Sequence, residues 1–577
     1  MPLDHIVRPK PVWIPPEPIP DDVDLAALYP HRLIASLLWR RGIRTPESAA
    51  AFMSTEGPET LDPHLLPNMD RAVARVARAL RSGEHIGIFG DYDADGITST
   101  AALYRALISV IGDAKVTPFV PNREDGYGVS RRGVHHLADA GCTLMIAVDT
   151  GSNDHDAIAL AQSLGMDVVI LDHHEVEDGE PEGSVLVNPQ LHPEGAYTEL
   201  TGAGVAYLFV LALAREGFPV FHIDADDPSR ILDLITLGTV TDVGALQGAN
   251  RKIVRAGLDV LRRSSRTGIQ AMIRHGEFNP DTLTSDRISF GLGPRLNAIG
   301  RIADPAAALR LLLTDDIEEA NDLAMLLEQA NHTRRLRTND ILADVAEKIL
   351  RLPDWETRPF IALHAPEWES GLVGPIANKI VEKMGVPAIV MQERNGVLSG
   401  SGRSVHGVDL LELLREAEPL MTRYGGHAGA GGVTLPAENF EAWNAAILAA
   451  IAEKGHTLPQ PPVVTLHAWL PEQAWRLDVA RVLQQLQPFG HGNAEPIFGI
   501  EHARLIRYST MGREKNHLKL VIGTLGREME AILWGGAGRS HELTLATHVD
   551  LAGTLGINEW QGVERLQMVL KDFHRAD

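Results

Sequence analysis

The stretch IGIFGDYDADGITSTAAL, residues 86–103, decides the fold of this chain. It opens with an apolar run typical of a buried strand, followed by three alternating aspartates, a glycine turn and a helix-like segment. The pattern therefore brings Asp91, Asp93 and Asp95 to the carboxyl end of one strand. A calcium-binding loop begins in a similar way, but its twelfth position must be a glutamate and is Ala102 here.

Two further strands are predicted to end in side chains that can bind metal. The apolar run TLMIAVD ends in Asp149, and the run DVVILD ends in Asp172, which His173 and His174 follow. Short apolar runs alternate with helical segments in this region, which predicts βαβ units and a parallel sheet. Because open α/β sheets build their sites at the carboxyl ends of the strands, we expect these side chains to converge. Asp242 follows another apolar stretch, where a helix cap and a ligand are equally plausible interpretations.

The chemistry of this set points to hydrolysis of phosphate esters. Carboxylates with one or two imidazoles suit hard to borderline divalent ions, and favour two Mn²⁺ or Mg²⁺ ions over structural zinc. Two such ions can activate a water, hold a phosphate oxygen and stabilise the leaving oxygen. The residues therefore predict a phosphoester or pyrophosphate hydrolase.

Composition adds bounds on the class of protein. The chain has 577 residues and 44% hydrophobic residues, enough for several domains with their own cores. Its only cysteine, Cys142, excludes an intramolecular disulfide and a cysteine-rich zinc site. No apolar run approaches a membrane span and the start is rich in proline, so we expect a cytoplasmic protein that does not enter a membrane. The formal charge of −23 argues against nucleic acid as a partner, unless arginines cluster locally around the site.

The pattern along the chain predicts an α/β protein with several domains. We expect two α/β domains joined by one long helix or two, and then a small β-barrel or β-sandwich, because the last part consists of short β-rich runs. The predicted bounds are a lead-in over 1–80, a first α/β domain over 81–314, a connecting helix over 315–352, a second α/β domain over 353–456 and the barrel over 457–577.

These motifs resemble a known family. The set DYDADG, AVDTG, LDHH and TVTDVG is similar to the four motifs of the DHH phosphoesterase superfamily. A second set resembles its RecJ branch in particular, from about residue 30 onward: PNREDGYG, GPRLNAIGR, GLVGPIANKI, GSGRS, GGHAGAGG and QPFGHGNAEPIF. The resemblance implies a DHH domain, a DHHA1-type domain and an OB-type domain. It also implies a metal-dependent exonuclease that degrades single-stranded DNA 5′→3′ to mononucleotides in recombination and repair.

The resemblance assigns roles to the metal-binding residues. Asp93 and Asp149 would bind one ion, with Asp91 near it in a role that stays open. The other ion would be bound by Asp95, Asp149, His173 and Asp242, so that Asp149 bridges the two. His174 and Asp172 would orient the imidazole. The implied catalytic set is Asp91, Asp93, Asp95, Asp149, His173, His174 and Asp242.

The resemblance also assigns residues to the substrate and suggests partners. Arg295, Asn297 and Arg301 would face the DNA strand, although a structural turn with surface arginines gives the same pattern. Ser401 and Arg403, together with Arg123, would bind the 5′-terminal phosphate, and His427 would contact the scissile phosphate or a neighbour. The implied partners are single-stranded DNA, single-strand-binding protein and a RecQ-type helicase, and we expect a monomer.

Two other functions remain open from the sequence. The chain could be a DHH phosphodiesterase of short oligonucleotides or cyclic dinucleotides, or a pyrophosphatase. It could instead be a non-catalytic scaffold of a replication assembly, although every metal-ligand position is filled.

Overall fold

The computed structural model describes residues 10–126, 128–220, 231–302, 304–352, 354–524, 527–543, 547–560 and 562–576. These residues form two compact units. The first unit takes the described residues of Pro20–His332 and Arg481–Glu495, and the second takes those of Met1–Ile19, Thr333–Ala480 and Pro496–Asp577. None of the described helices combines the length and the apolar sequence that a membrane crossing requires.

The helices and strands follow in chain order. The strands are β1 (Val12–Ile14), β2 (Ile86–Gly90), β3 (Val116–Phe119), β4 (Leu144–Val148), β5 (Asp167–Leu171), β6 (Val185–Val187), β7 (Ile361–Ala365), β8 (Ala388–Arg394), β9 (Val397–Arg403), β10 (Arg423–His427), β11 (Ala430–Pro436), β12 (Val463–Thr465), β13 (Ala468–Trp469), β14 (Phe498–Met511), β15 (His517–Thr524), β16 (Arg527–Leu533), β17 (His548–Trp560) and β18 (Val563–Arg575). The α-helices are α1 (Leu25–Leu28), α2 (Arg32–Arg40), α3 (Pro46–Met53), α4 (Met69–Ser82), α5 (Ala94–Ile111), α6 (Arg131–Asp139), α7 (His155–Ser163), α8 (Gly202–Arg215), α9 (Leu232–Thr241), α10 (Gly248–Arg262), α11 (Thr267–His275), α12 (Ser285–Arg287), α13 (Gly293–Ile302), α14 (Ala306–Leu313), α15 (Ile317–Leu350), α16 (Ser370–Met384), α17 (Leu410–Glu416), α18 (Phe440–Glu453) and α19 (Leu477–Gln484).

The first unit is built on a sheet of five parallel strands in the order β3-β2-β4-β5-β6. The chain moves from β2 to one neighbour, β3, and then to the other neighbour, β4. At such a reversal the loops after β2 and β4 leave in opposite directions and open a crevice at the carboxyl edge of the sheet. The register pairs Gly90 with Val148 and Val148 with Leu171, so the residues that follow these three strands begin at one level.

Both faces of this sheet are covered, as the continuous apolar strands predict. Ile86 and Ile88 of β2 point into a core shared with helices α4, α5, α8 and α9. Phe89 points to the opposite face, where it packs with Val134 of α6 and Ile158 of α7. Each fully buried side chain of this size contributes about 1.5–3 kcal/mol, so the two cores fix the strand ends firmly.

The second unit contains a mixed sheet in the order β10-β11-β9-β8-β7, in which only β7 and β8 run parallel. Helix α16 packs against β8 and β9, and helices α17 and α18 pack against each other. The 34-residue helix α15 connects the two α/β domains. The predicted α/β class and long connecting helix are therefore confirmed.

The last strands close into a small barrel. The pairings run β14-β15-β16-β18-β17 and return from β17 to β14, which gives a five-stranded ring of the OB type. Phe498 is buried inside this barrel, whereas Trp534 is 55% exposed. The predicted barrel is confirmed.

The first strand of the chain packs onto the last domain. Strand β1 pairs in parallel with β12, and the indole N–H of Trp13 donates to Asp572 at 2.6 Å. Asp572 is fully buried and also accepts from Arg539 at 2.6 Å and lies 3.0 Å from the His574 Nε2. The Trp13 ring stacks on the ring of His574 with centroids 4.4 Å apart. The buried carboxylate of Asp572 thus bonds strand β1 to strand β18 of the barrel.

Asp572→Ala is expected to lower the free energy of unfolding by about 3 kcal/mol, because it removes a buried acceptor shared by three donors. Urea unfolding followed by circular dichroism measures the loss. Asp550→Ala is the matched control, since the Asp550 carboxylate accepts a single exposed backbone N–H, from His502 at 2.7 Å. Equal losses for the two variants would contradict the role given to Asp572.

Candidate metal centre and substrate residues

All seven predicted catalytic side chains lie at the carboxyl edge of the first unit's sheet. Asp91 directly follows β2 and Asp149 directly follows β4, whereas Asp172 separates β5 from His173 and His174. Asp93 is the N-cap of α5, Asp95 lies in the first turn of that helix, and Asp242 is the C-cap of α9. The carboxyl groups of Asp91, Asp95 and Asp149 are almost completely buried.

The local backbone explains how the aspartates are aimed. One oxygen of Asp93, Oδ1, accepts the backbone N–H groups of Asp95 at 2.9 Å and Gly96 at 3.1 Å, which starts the helix. A side chain at Gly96 would collide with the backbone of Asp91, because its Cβ would lie 2.5 Å from the Asp91 nitrogen. Asp149 itself has φ of +61°, a conformation that non-glycine residues adopt rarely and mostly at special sites.

The side chains form three overlapping groups that could hold metal ions. In each group the possible ligand atoms lie within 4.8 Å of one another, and the groups are Asp91–Asp93–Asp149, Asp95–His173–Asp242 and Asp149–His173–His174. The His173 Nε2 atom lies 3.2 Å from Asp149 Oδ1 and 3.9 Å from Asp242 Oδ2. Asp149 belongs to two of these groups, one with Asp91 and Asp93 and one with His173 and His174.

A second layer of hydrogen bonds holds the histidines. Asp172 Oδ1 lies 2.8 Å from His174 Nδ1 and accepts the backbone N–H of His173 at 2.7 Å. Burial opposes ionisation of Asp172, but the hydrogen bond and charge of His174 hold the pKa of that carboxyl below its usual range. The pKa of His174 is raised in turn, because its bond to Asp172 outweighs its burial.

Sequence reasoning missed two residues of this layer. Ser152 donates its backbone N–H to the second oxygen of Asp172 at 3.0 Å. The side-chain amide of Asn188 reaches both the Ser152 hydroxyl and the His174 carbonyl at 2.9 Å. Asn188 directly follows β6, so the rule that polar residues at strand ends build the site could have found it.

The buried carboxylates of the cluster have raised pKa values, so a bound cation would stabilise their ionised forms. Burial, reinforced by Asp93, raises the pKa of Asp91 to about 7. Burial and neighbouring carboxylates also raise the pKa values of Asp95 and Asp149 well above the usual range, and burial raises that of Asp242. Among the described residues of the cluster, three buried oxygens accept no hydrogen bond: Asp91 Oδ1, Asp95 Oδ2 and Asp149 Oδ1. Buried oxygens without donors are rare in proteins, and oxygen-rich sites of this kind suit Mn²⁺ or Mg²⁺.

The predicted substrate residues of the first unit take different positions. The Arg123 guanidinium lies over the ring of Tyr92, 4.9 Å from its centroid, and thus beside Asp91. Arg295 bonds to Glu328 and to the Gly291 carbonyl, so its charge is already paired within the protein. The side-chain oxygen of Asn297 accepts the backbone N–H of Ala94 at 2.8 Å. The side chain of Arg301 lies outside the described residues.

The other predicted substrate residues belong to the second unit. Ser401 and Arg403 lie on β9, which packs against the first turns of α16. A Cβ at Gly374 of α16 would lie 3.5 Å from both the Ser401 hydroxyl and an Arg403 nitrogen, so these two groups face the same point. His427 ends β10 with its side chain exposed, and its Nδ1 accepts the N–H of Gly429 at 3.2 Å.

Three family descriptions match successive parts of the chain. The N-terminal domain of the DHH family matches residues 85–239, the DHHA1 domain matches residues 358–453, and the RecJ OB domain matches residues 466–572.

Similar proteins and structures cover almost the whole chain. The single-stranded-DNA-specific exonuclease RecJ of Escherichia coli K12 is 32% identical over 96% of this chain and 97% of its own. The protein of that name from Bacillus subtilis 168 is 32% identical over 94% of this chain and 67% of its own. A crystal structure of RecJ in complex with Mn²⁺ from Thermus thermophilus superposes with a TM-score of 0.80 at 31% identity, over 98% of this chain and 80% of that one. A structure of the same protein with Mg²⁺ gives 0.75 at 30% identity, over 98% and 78%.

In EDTA, the melting temperature of the protein is expected to decrease as the pH rises from about 5 to about 8. The decrease should be smaller in Asp149→Asn. Burial raises the folded pKa of Asp91 to about 7 and that of Asp149 well above its usual range. The stabilising contribution of each carboxyl is therefore complete below its unfolded pKa and is lost as the pH rises through its folded pKa. Mn²⁺ should raise the melting temperature, and more at pH 8 than at pH 6, because the ligands must be deprotonated.

Thermal unfolding at several pH values measures both effects. The exposed Asp156, in the first turn of α7, supplies the control variant Asp156→Asn, which should follow the parent protein throughout. Parallel curves for Asp149→Asn and the parent protein would show that the cluster does not govern this pH dependence.

Proposed function

This chain belongs to the RecJ family, and we propose that it is a metal-dependent exonuclease that degrades single-stranded DNA from the 5′ end to mononucleotides. One observation carries the chemistry: three buried carboxylate oxygens without hydrogen-bond donors share one cluster with the imidazole of His173. The family supports the substrate, because the similar proteins are named single-stranded-DNA-specific exonucleases. We further propose that the enzyme acts in recombination and repair.

We propose that the cluster binds two divalent ions, Mn²⁺ or Mg²⁺. Asp93 and Asp149 would hold one ion with Asp91 beside it, and the other would be held by Asp95, Asp149, His173 and Asp242. The overlap of the groups supports a shared role for Asp149, which is grouped within 4.8 Å with Asp91 and Asp93 and, separately, with His173. Asp95, His173 and Asp242 form the remaining group. When bound, the ions would act as Lewis acids on the phosphodiester and its attacking water.

The protein's own residues would orient and screen this reaction. The hydrogen bond from His174 to Asp172 and the support of Ser152 hold the strand end that carries His173. The oxygen of Asp93 that is not used in capping α5 is left for the metal. The guanidinium of Arg123 stands beside Asp91, where it can pair with a phosphate oxygen of the substrate.

We propose that the second unit binds the 5′ end of the strand. Ser401 and Arg403 offer a hydroxyl and a guanidinium to one point next to the early turns of α16, and a hydroxyl with a guanidinium suits a terminal phosphate. His427 would contact a phosphate of the strand through its exposed ring. The path of the DNA in the first unit would be lined by Arg295, Asn297 and Arg301. To bind a phosphate of the DNA, Arg295 would have to break its ion pair with Glu328.

The proposed setting follows from the substrate. Single-strand-binding protein and a RecQ-type helicase would supply exposed strands to the enzyme in the cytoplasm, and the enzyme would act as a monomer. Because the net charge of −23 opposes DNA binding in general, capture of the strand would depend on a few local arginines, with acidic surfaces elsewhere.

In the presence of Mn²⁺, single strands labelled at the 5′ end are expected to release the label before strands labelled at the 3′ end. Gel analysis of time points measures the order, and earlier release of the 3′ label would overturn the proposed polarity. Dinucleotides tested side by side with long strands distinguish an exonuclease from an oligonucleotide phosphodiesterase.

Asp149→Ala should reduce turnover by about a thousandfold or more, because the proposed bridge between the ions is lost. The matched control Asp156→Ala should leave turnover unchanged.

Arg403→Ala is expected to remove a preference for 5′-phosphorylated strands over strands with a 5′-hydroxyl. The guanidinium would contribute about 1.5–3 kcal/mol to phosphate binding, which corresponds to a loss of about 10- to 100-fold in kcat/KM on the phosphorylated strand alone. Arg415→Ala, which removes an arginine from the last turn of α17, is the control. A loss of equal size on both strands would show that Arg403 does not bind the terminal phosphate.

A further inference from the structure

Helix α13 touches both segments that carry the proposed metal ligands. Gly293, Asn297 and Gly300 follow one another at four- and three-residue spacing, so they lie on one face of the helix. A Cβ at Gly293 would lie 2.5 Å from the hydroxyl of Thr241, the residue before Asp242. A Cβ at Gly300 would lie 3.2 Å from the carbonyl oxygen of Tyr92, within the loop that carries Asp91 and Asp93.

Asn297 lies between these two contacts on α13 and makes a hydrogen bond to helix α5. Its side-chain Oδ1 accepts the backbone N–H of Ala94, the first residue of α5, at 2.8 Å. The first turn of any helix leaves four N–H groups without partners inside the helix. Here Asp93 Oδ1 accepts those of residues 95 and 96, whereas the N–H of Ile97 already makes the first bond inside the helix, to the Asp93 carbonyl. Asn297 therefore accepts the remaining N–H of the first helical turn, that of Ala94, and it does so from another helix.

We propose that Asn297 is a positioning residue for the metal centre, acting through Ala94 on the two carboxylates at either side of it. Asp93 lies immediately before Ala94 and Asp95 immediately after it, and each is proposed to bind a different ion. A bond to the peptide between them fixes the direction of both. The inference rests on the proposed metal site, and it gives Asn297 a task that is separate from contact with DNA.

Binding of Mn²⁺ in the absence of DNA tests the proposal, with isothermal titration calorimetry as the readout. Asn297→Ala removes the acceptor and is expected to weaken Mn²⁺ affinity about tenfold, the lower end of what loss of a supporting bond costs a metal site. Asn297→Asp keeps an acceptor oxygen but loses the amide donor, and should bind Mn²⁺ within about threefold of the parent protein. If Asn297 only touched DNA, both variants would bind Mn²⁺ normally and raise the KM for the strand.

Asn279→Ala is the matched control. Asn279 also caps a short turn, through a side-chain bond to the N–H of Asp281 at 3.1 Å, and it lies outside the three groups of possible metal ligands. Unchanged Mn²⁺ binding in Asn297→Ala would overturn the proposal, as would equal weakening in Asn297→Ala and Asn297→Asp. If Asn297→Ala does not fold, Asn297→Leu takes its place: it has a similar volume but no acceptor, and should weaken Mn²⁺ affinity by about the same factor of ten. Absence of Mn²⁺ binding in the parent protein would instead overturn the proposed metal site.

Discussion

Repulsion between buried carboxylates is the constraint on which the rest of the structure depends. Asp91, Asp95 and Asp149 are withdrawn from water, and each raises the cost of ionising its neighbours. Such an arrangement cannot stabilise a fold by itself. It persists because the surrounding elements hold it in place, as is usual for a site prepared for a cation.

The supports come from every layer of the first unit. The parallel register places three strand ends at one level, and the apolar residues on both faces of the sheet keep the strands there. Ser152 and Asn188 then fix the histidine segment, while α13 rests on both the α5 and the α9 sides. The positions of the carboxylates are thus fixed by the surrounding backbone, and attraction between the carboxylates themselves plays no part.

The sequence predicts the parts of this site that depend on local pattern. Alternating aspartates after an apolar run, and a histidine pair after another, are sufficient to place the strand ends, because parallel strands share one carboxyl edge. Contacts between distant segments leave no such pattern. Asn297 lies 203 residues from Ala94, and the motif around it suggests contact with DNA as readily as a cap on another helix. The ion pair between Arg295 and Glu328 could not be predicted for the same reason. The sequence does not distinguish an arginine that binds a phosphate from one that is paired with a carboxylate of the protein.

The resemblance to a family extends what the residues alone predict. The apolar runs predict the fold class, and the aspartates and histidines that follow them predict the reaction type. The polarity and the preference for single strands come from the family motifs. In the barrel, an aromatic residue can fill the core or face solvent, as Phe498 and Trp534 do, and composition does not distinguish the two.

The bond between Trp13 and Asp572 joins residues that are 559 positions apart. A ribosome therefore releases the tryptophan long before the aspartate that accepts its hydrogen bond. Domains generally fold in order from the N-terminus as they emerge, so the first unit can form while the earliest strand still waits for its partner. The second unit can reach its final state only after Asp572 has been translated, and a chain that stops before this residue would leave strand β1 without the carboxylate that anchors it.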